Sequence, residues 1–208
     1  MIIAAVTDGS LFTSSTTDPA SSASFHVTDN VLLDVSSCSE ANWKAHVLPY
    51  TNAGCEVWTC AIKGNMLCSG GEDARLKLWD IRCRSDVGCC TRFEAGVTFC
   101  SWQDENLVLT GSYDQHIRLL DVRRLKEPCK NVETKGGVWH IEDCERAGVR
   151  HYLTSCMYGG WALFDVNLNP IVSDEAAGEH LLYGVTMISE NNIVYTTFND
   201  FTVKASSL

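Results

Sequence analysis

Three side chains are of the types that do acid–base or nucleophilic work: His140, Glu56 and Cys156. An imidazole or a carboxylate can draw a proton from an attacking group, and a thiol can itself attack a carbonyl carbon. The amides around Gly136 and Gly137 are placed to donate to the oxyanion that such an attack develops, and Trp139 and Tyr183 offer rings to a bound substrate. His46 and His180 are further candidates, while His26, His116 and His151 fall at strand or surface positions and receive no task. No Ser-His-Asp order can be drawn from the chain, because serines and aspartates are many and a triad on such a fold has no linear signature. Structural readings stand beside these: His140 as a capped strand residue and Cys156 as a core thiol.

What must position these residues is a repeat. The segments LCSGGEDARLKLWDIR at 67–82, LVLTGSYDQHIRLLDVRR at 107–124 and YLTSCMYGGWALFDV at 152–166 share one pattern: an apolar strand ending in small residues, a tight polar turn, and a second strand closing on aspartate. The closing residues Asp80, Asp121 and Asp165 are 41 and 44 residues apart, the period of a propeller blade rather than of a helical repeat. Weaker copies are SFHVTDNVLLDV at 24–35 and IVYTTFNDFTVKAS at 193–206. In constant phase upstream lie EVWTCAI, GVTFCSW, GVWHIED and YGVTMIS, each read as the innermost strand of a four-stranded blade. Glu56, Gly96, Gly137 and Tyr183 then occupy equivalent positions just before the inner strands and are expected to converge at one face.

The repeat accounts for several residues without any chemistry. Asp73, Asp114 and Asp200 fall in the tight turns, where an aspartate satisfies turn amides. Trp79, Leu120 and Phe164 are expected as wedges between blades. The chain is read as all-β, a WD40-type β-propeller forming a single domain over 1–208. Its parts are a half-blade at 1–15, a degenerate repeat at 24–35, and blades at 56–82, 96–122, 137–166 and 183–206. A ring commonly needs more blades than this, so the propeller is expected to be incomplete or compacted. TTDPASSAS at 16–24 is the linker-like run.

Sixteen basic against twenty-six acidic side chains leave a net charge of -10 in 208 residues, which repels phosphate backbones and anionic lipid. Neither nucleic acid nor a membrane is an expected partner. No apolar run reaches the length of a membrane span, and MIIAAV lacks the basic flank of a targeting signal. The eleven cysteines include no pair at zinc-knuckle spacing, so no metal or cofactor is expected. Cys68, Cys100 and Cys156 sit inside apolar runs, as reduced core thiols of a cytoplasmic protein would.

A narrower resemblance rests on WKAH at 43–46, SGGEDARLKLWDIR at 69–82, GSYDQHIRLLDVRRLKEP at 111–128, GGVWHI at 136–141, SCMYGGWALFD at 155–165 and LLYGV at 181–185. In that order they resemble the diphthine methylesterase family of diphthamide biosynthesis, also called diphthine methyltransferases, over most of 43–187. The chain departs from the family pattern after Trp139, where His140 is followed by IEDCER, and at Met187. The resemblance implies hydrolysis of the methyl ester of the diphthine intermediate on elongation factor 2, giving the acid used by the final amidation. It would make the chain a carboxylic ester hydrolase acting on a folded protein. Two other readings stay open: a noncatalytic WD40 scaffold, the commonest use of such repeats, and a family member that binds elongation factor 2 without turnover.

Overall fold

The computed structural model describes residues 2–6, 10–14, 32–36, 41–83 and 85–208. They form five antiparallel sheets, with one 3-10 turn at Ala176–Gly178 and no α-helix among the described residues. The fold class is all-β and WD40-type. The chain divides into two compact units, Met1–Thr110 with Leu120–Pro128, and Gly111–Leu119 with Cys129–Leu208.

The first unit opens with β1 (Ile2–Val6), β2 (Ser10–Ser14), β3 (Leu32–Ser36) and β4 (Ala41–Lys44) in the order β3-β1-β2-β4. β3, which carries Asp34, pairs antiparallel with β1 of the half-blade, with Ala5 opposite Asp34. Backbone pairing across a long connection has joined segments that look like separate copies. Residues 24–31, the linker 16–24 and His26 lie outside the described residues.

The second sheet runs β5 (Val57–Lys63), β6 (Met66–Gly71), β7 (Leu76–Asp80), β8 (Ser85–Cys90) in sequence order. The third takes β9 (Val97–Trp102), β10 (Leu107–Ser112), β11 (His116–Asp121) and β12 (Lys130–Glu133), and supplies strands to both units. In the second unit follow β13 (His140–Arg146), β14 (Val149–Ser155), β15 (Trp161–Asp165) and β16 (Pro170–Asp174), then β17 (Leu182–Ser189), β18 (Asn192–Thr197) and β19 (Thr202–Ser207). The fourth strands β8, β12 and β16 do not show in the repeat pattern. Apart from the buried Cys90 their residues are exposed or half-buried, so no apolar period marks them.

Cores lie between successive sheets. In the first unit Cys68, Leu76, Val97, Val108 and Leu120 pack together, and in the second Cys144, Leu153, Trp161, Leu163, Leu182 and Ile193 do so. Each fully buried aliphatic side chain contributes roughly 1.5–3 kcal/mol relative to exposure. Trp79, Leu120 and Phe164 are all buried.

The closing aspartates have a local task. Asp80 accepts from the Arg82 amide and guanidinium, and Asp121 likewise from Arg123, which holds both carboxyls down at about 2. Asp165 does the same with Asn167 and Asn169. The turn aspartates, expected to satisfy turn amides, instead hold side chains. Asp114 pairs with Arg118 at 2.9 Å in a buried ion pair, and Asp200 accepts from Thr197 and Thr202 and pairs with Lys204 at 3.0 Å. The residue after each, Ala74, Gln115 and Phe201, has φ of 56°, 65° and 55°, so three repeats share one left-handed turn position although none carries glycine there.

Candidate functional site

A Ser-His-Asp constellation does exist, in the first unit. His46 Nδ1 lies 2.8 Å from Asp73 Oδ1 and Nε2 lies 2.8 Å from Ser69 Oγ, which also accepts from Trp79 Nε1 at 2.9 Å. One assignment uses each hydrogen once: Trp79 donates to Ser69, Ser69 to His46 Nε2, and Nδ1 to the carboxylate. The geometry is that of an activated serine, yet Ser69 and His46 are fully buried and no substrate carbonyl can reach the hydroxyl. The cluster fastens the segment after β4 to the turn between β6 and β7. Lys77 adds to this, its ammonium donating to the Ala45 carbonyl at 2.6 Å. His46 is thereby a structural residue, and Asp73 is its partner 27 positions away.

In the second unit the turn between β14 and β15 is built differently. No carboxylate occupies it; backbones meet directly. A Cβ on Gly136 would lie 2.2 Å from the Cys156 carbonyl, and one on Gly159 would lie 2.4 Å from the Lys135 carbonyl carbon. Gly160, at φ 74°, would meet the Asp174 carbonyl. Only glycine allows this contact, so the GGVW and SCMYGG motifs are explained by two interlocked backbones. Val138 and Trp139 then donate to the Ser112 and Ser155 carbonyls at 2.9 Å each, which fixes the direction in which Trp139 leaves the chain.

Trp139 is the centre of a row of rings. Tyr113, from the turn between β10 and β11, meets it edge-on at 6.0 Å; Tyr183, in β17, lies 4.8 Å on its other side; Phe198, from the turn between β18 and β19, lies 5.7 Å beyond Tyr183. Phe198 is 60% exposed and the other three are partly so. Beside Phe198, the amides of Phe198 and Asn199 donate to the carbonyls of Leu181 and His180. His180 Nε2 stands 3.9 Å from Asp200 Oδ2. The Thr197 hydroxyl holds the Asp200 carboxyl well below the usual carboxylate range, aided by Lys204 and Thr202. The separation is longer than a hydrogen bond, so the carboxylate stands beside the part-exposed imidazole without fixing its ring.

The sequence-derived candidates separate on these facts. Trp139 and Tyr183 are in ring contact, and Gly136 and Gly137 lie at the root of the row. Gly136 is buried against the turn, so its first role is packing. His140 is exposed, and its backbone serves the strand: the amide donates to Ser155 Oγ at 3.0 Å, while that hydroxyl donates to the His140 carbonyl. Cys156 is buried, and desolvation pushes its thiol up to about 12, only partly offset by the Thr134 hydroxyl. At neutral pH it is no thiolate, which removes it as a nucleophile. Glu56 lies in the first unit, exposed, its carboxylate accepting from Trp58 Nε1 at 2.7 Å. Tyr113 and Phe198 escape the sequence reading, because turn rings carry no periodic signal. Among the described residues no cluster of three or more metal-ligating side chains is present.

The model of the WD domain, G-beta repeat, matches residues 41–80 and 87–121. The diphthine methyltransferase of Mus musculus is 33% identical over 132 residues, covering 60% of this chain and 26% of that protein. The diphthine methyltransferase homolog of Dictyostelium discoideum is 30% identical over 145 residues, covering 62% and 37%. The chain thus spans between about a quarter and about two fifths of these relatives' lengths. In the solved structure of U3-55K, 57% of the chain superposes on 99% of this one with a TM-score of 0.63 at 14% identity, a likeness of fold alone. Over the matched stretches the chain is similar to the WD repeat, and over about 60% of its length it resembles the diphthine methyltransferases.

Proposed function

We propose that this chain acts in diphthamide biosynthesis in the cytoplasm, hydrolysing the methyl ester of the diphthine intermediate on elongation factor 2. The resemblance supports the pathway, and the row Tyr113–Trp139–Tyr183–Phe198 with His180 and Asp200 at its end is the observation that supports a site. Partly exposed rings in contact present a broad apolar face whose burial by a ligand is favourable. His180, with the Asp200 carboxylate 3.9 Å away, draws a proton from water as that water attacks the ester carbon. The water forms the new C–O bond, the carbon–methoxy bond breaks, and the proton passes to the departing methoxide to give methanol.

The test is incubation of the purified chain with elongation factor 2 bearing the methylated intermediate, followed by mass spectrometry. Loss of one methylene from the modified histidine is expected. His180→Ala should lower kcat by about a hundredfold, and Trp139→Ala should raise KM by about tenfold with a smaller effect on kcat. Binding of the substrate protein with no mass change would leave the noncatalytic scaffold as the reading. Unchanged KM in Trp139→Ala would remove the row of rings from the site.

A further inference from the structure

The loop Val122–Pro128 has no part in the site above, yet it forms one wall of a groove of about 650 Å³ whose other wall is Val87–Cys89 of β8. β8 is the last strand of its sheet, and among the described residues no strand pairs with its outer edge. Val87 is 55% exposed. Leu125 packs against Gly88, where a Cβ would come within 2.8 Å of it, so the loop is held at a fixed distance from the strand. Arg92 ties the loop further, its Nε donating to the Lys126 carbonyl at 2.7 Å.

The charges of this groove run against those of the chain. Arg123 is spent on Asp121 at 2.6 Å. Arg124 and Lys126 form no ion pair among the described residues, although the charge of Arg124 acts on Asp121, and Arg92 brings a third cation to the loop. Glu127 is the opposing carboxylate in the lining. In a chain of net charge -10, a lining that sets Arg123, Arg124 and Lys126 against Glu127, beside a strand edge that no described strand pairs with, is what a local anionic ligand needs. An edge of free backbone groups selects a second peptide backbone, with charge supplying the specificity. A phosphodiester polymer meets the cations but also the repulsion of the whole chain, and has no backbone amides for the edge.

We infer that this groove binds an acidic peptide segment in extended conformation, added to the outer edge of β8 with its carboxylates on Arg124 and Lys126. The experiment is fluorescence anisotropy on the full chain at low ionic strength with a labelled decapeptide alternating glutamate and valine. Saturable binding is expected. A lysine–valine decapeptide should bind at least about tenfold more weakly, and so should a glutamate–proline decapeptide, which keeps the charge and cannot pair as a strand. The double variant Arg124→Glu, Lys126→Glu should lose about tenfold in affinity while its thermal melt stays in place, both side chains being on the surface. Absence of binding, equal affinity for the charge-reversed or proline decapeptide, unchanged affinity in the variant, or tighter binding of an oligothymidylate would each overturn the assignment.

Discussion

The turn between β6 and β7 and the turn between β14 and β15 occupy the same place in their sheets, with Ser69 opposite Lys77 in one and Thr154 opposite Ala162 in the other. The first is closed by a buried polar network through His46, Asp73, Ser69 and Trp79. The second is closed by backbone on backbone, through Gly136, Gly159 and Gly160. One strand pairing is thus held by two unrelated devices, and they leave different surfaces. A network of side chains spends its polar groups on one another, Asp73 Oδ2 excepted, and points inward. Interlocked glycines contribute no side chain, so the neighbouring residues Trp139 and Tyr183 are left to face outward. Triad geometry and site are therefore in different places: chemistry-like residues hold the first turn together, and the packing of glycines exposes the rings beside the second.

The largest effect should come from breaking the polar turn. Asp73→Ala leaves His46 Nδ1 buried without its acceptor, and removal of one member of such a buried pair costs about 3 kcal/mol. Urea unfolding of the variant would show it as a lower midpoint with little change of slope. Asp73→Asn keeps an oxygen within reach of His46 Nδ1 and should lose about 1 kcal/mol. If Ser69→Ala abolished ester hydrolysis while leaving the unfolding midpoint in place, the two turns would have to exchange roles. The glycine turn should be the next most sensitive. Gly159→Ala drives a Cβ against the Lys135 carbonyl carbon, and relief by backbone shift costs about 2 kcal/mol. Because the shift is at the root of Trp139, it should also weaken substrate binding, an effect Asp73→Asn should not have.

The contrast between the two turns is only half legible in the sequence. Inner strands and strand pairs stand out because burial on one or both faces forces apolar residues into period; β8, β12 and β16 are outermost, are free of that constraint, and leave no pattern. Trp139 and Tyr183 are found through their phase relative to the inner strands. The link between His46 and Asp73 is not, since a contact across 27 residues depends on which loop folds over which turn. Gly136 and Gly137 read in the sequence as amide donors, when the close approach of a second backbone already requires the first of them. His180 is one histidine among several until the turn at Asp200 places a carboxylate beside it.

The smallest effect at neutral pH should come from Cys156→Ser, with at most about 1 kcal/mol lost and turnover within twofold, because a thiol held up to about 12 by burial takes no part in the chemistry. The same residue separates the two turns at high pH. A thiol whose folded pKa is raised above its unfolded value contributes stability that is complete below about pH 9 and is lost as the pH rises toward the folded value. For Cys156 that window extends to about 12, with burial as its cause. For Cys55, close to the first turn, it extends to about 11, with burial first and the charge of Asp73 second. Cys156→Ser should therefore flatten the alkaline loss of stability up to the top of the range, while Cys55→Ser should flatten it only up to about 11. Asp73→Asn, by removing one of the charges that raise the Cys55 thiol, should lower the upper limit of the Cys55 window and leave that of Cys156 unmoved. Melting temperatures recorded between pH 8 and 12 for the three variants would read these differences directly, and a shift of the Cys156 window in Asp73→Asn would mean that the polar turn and the glycine turn are electrostatically coupled rather than independent.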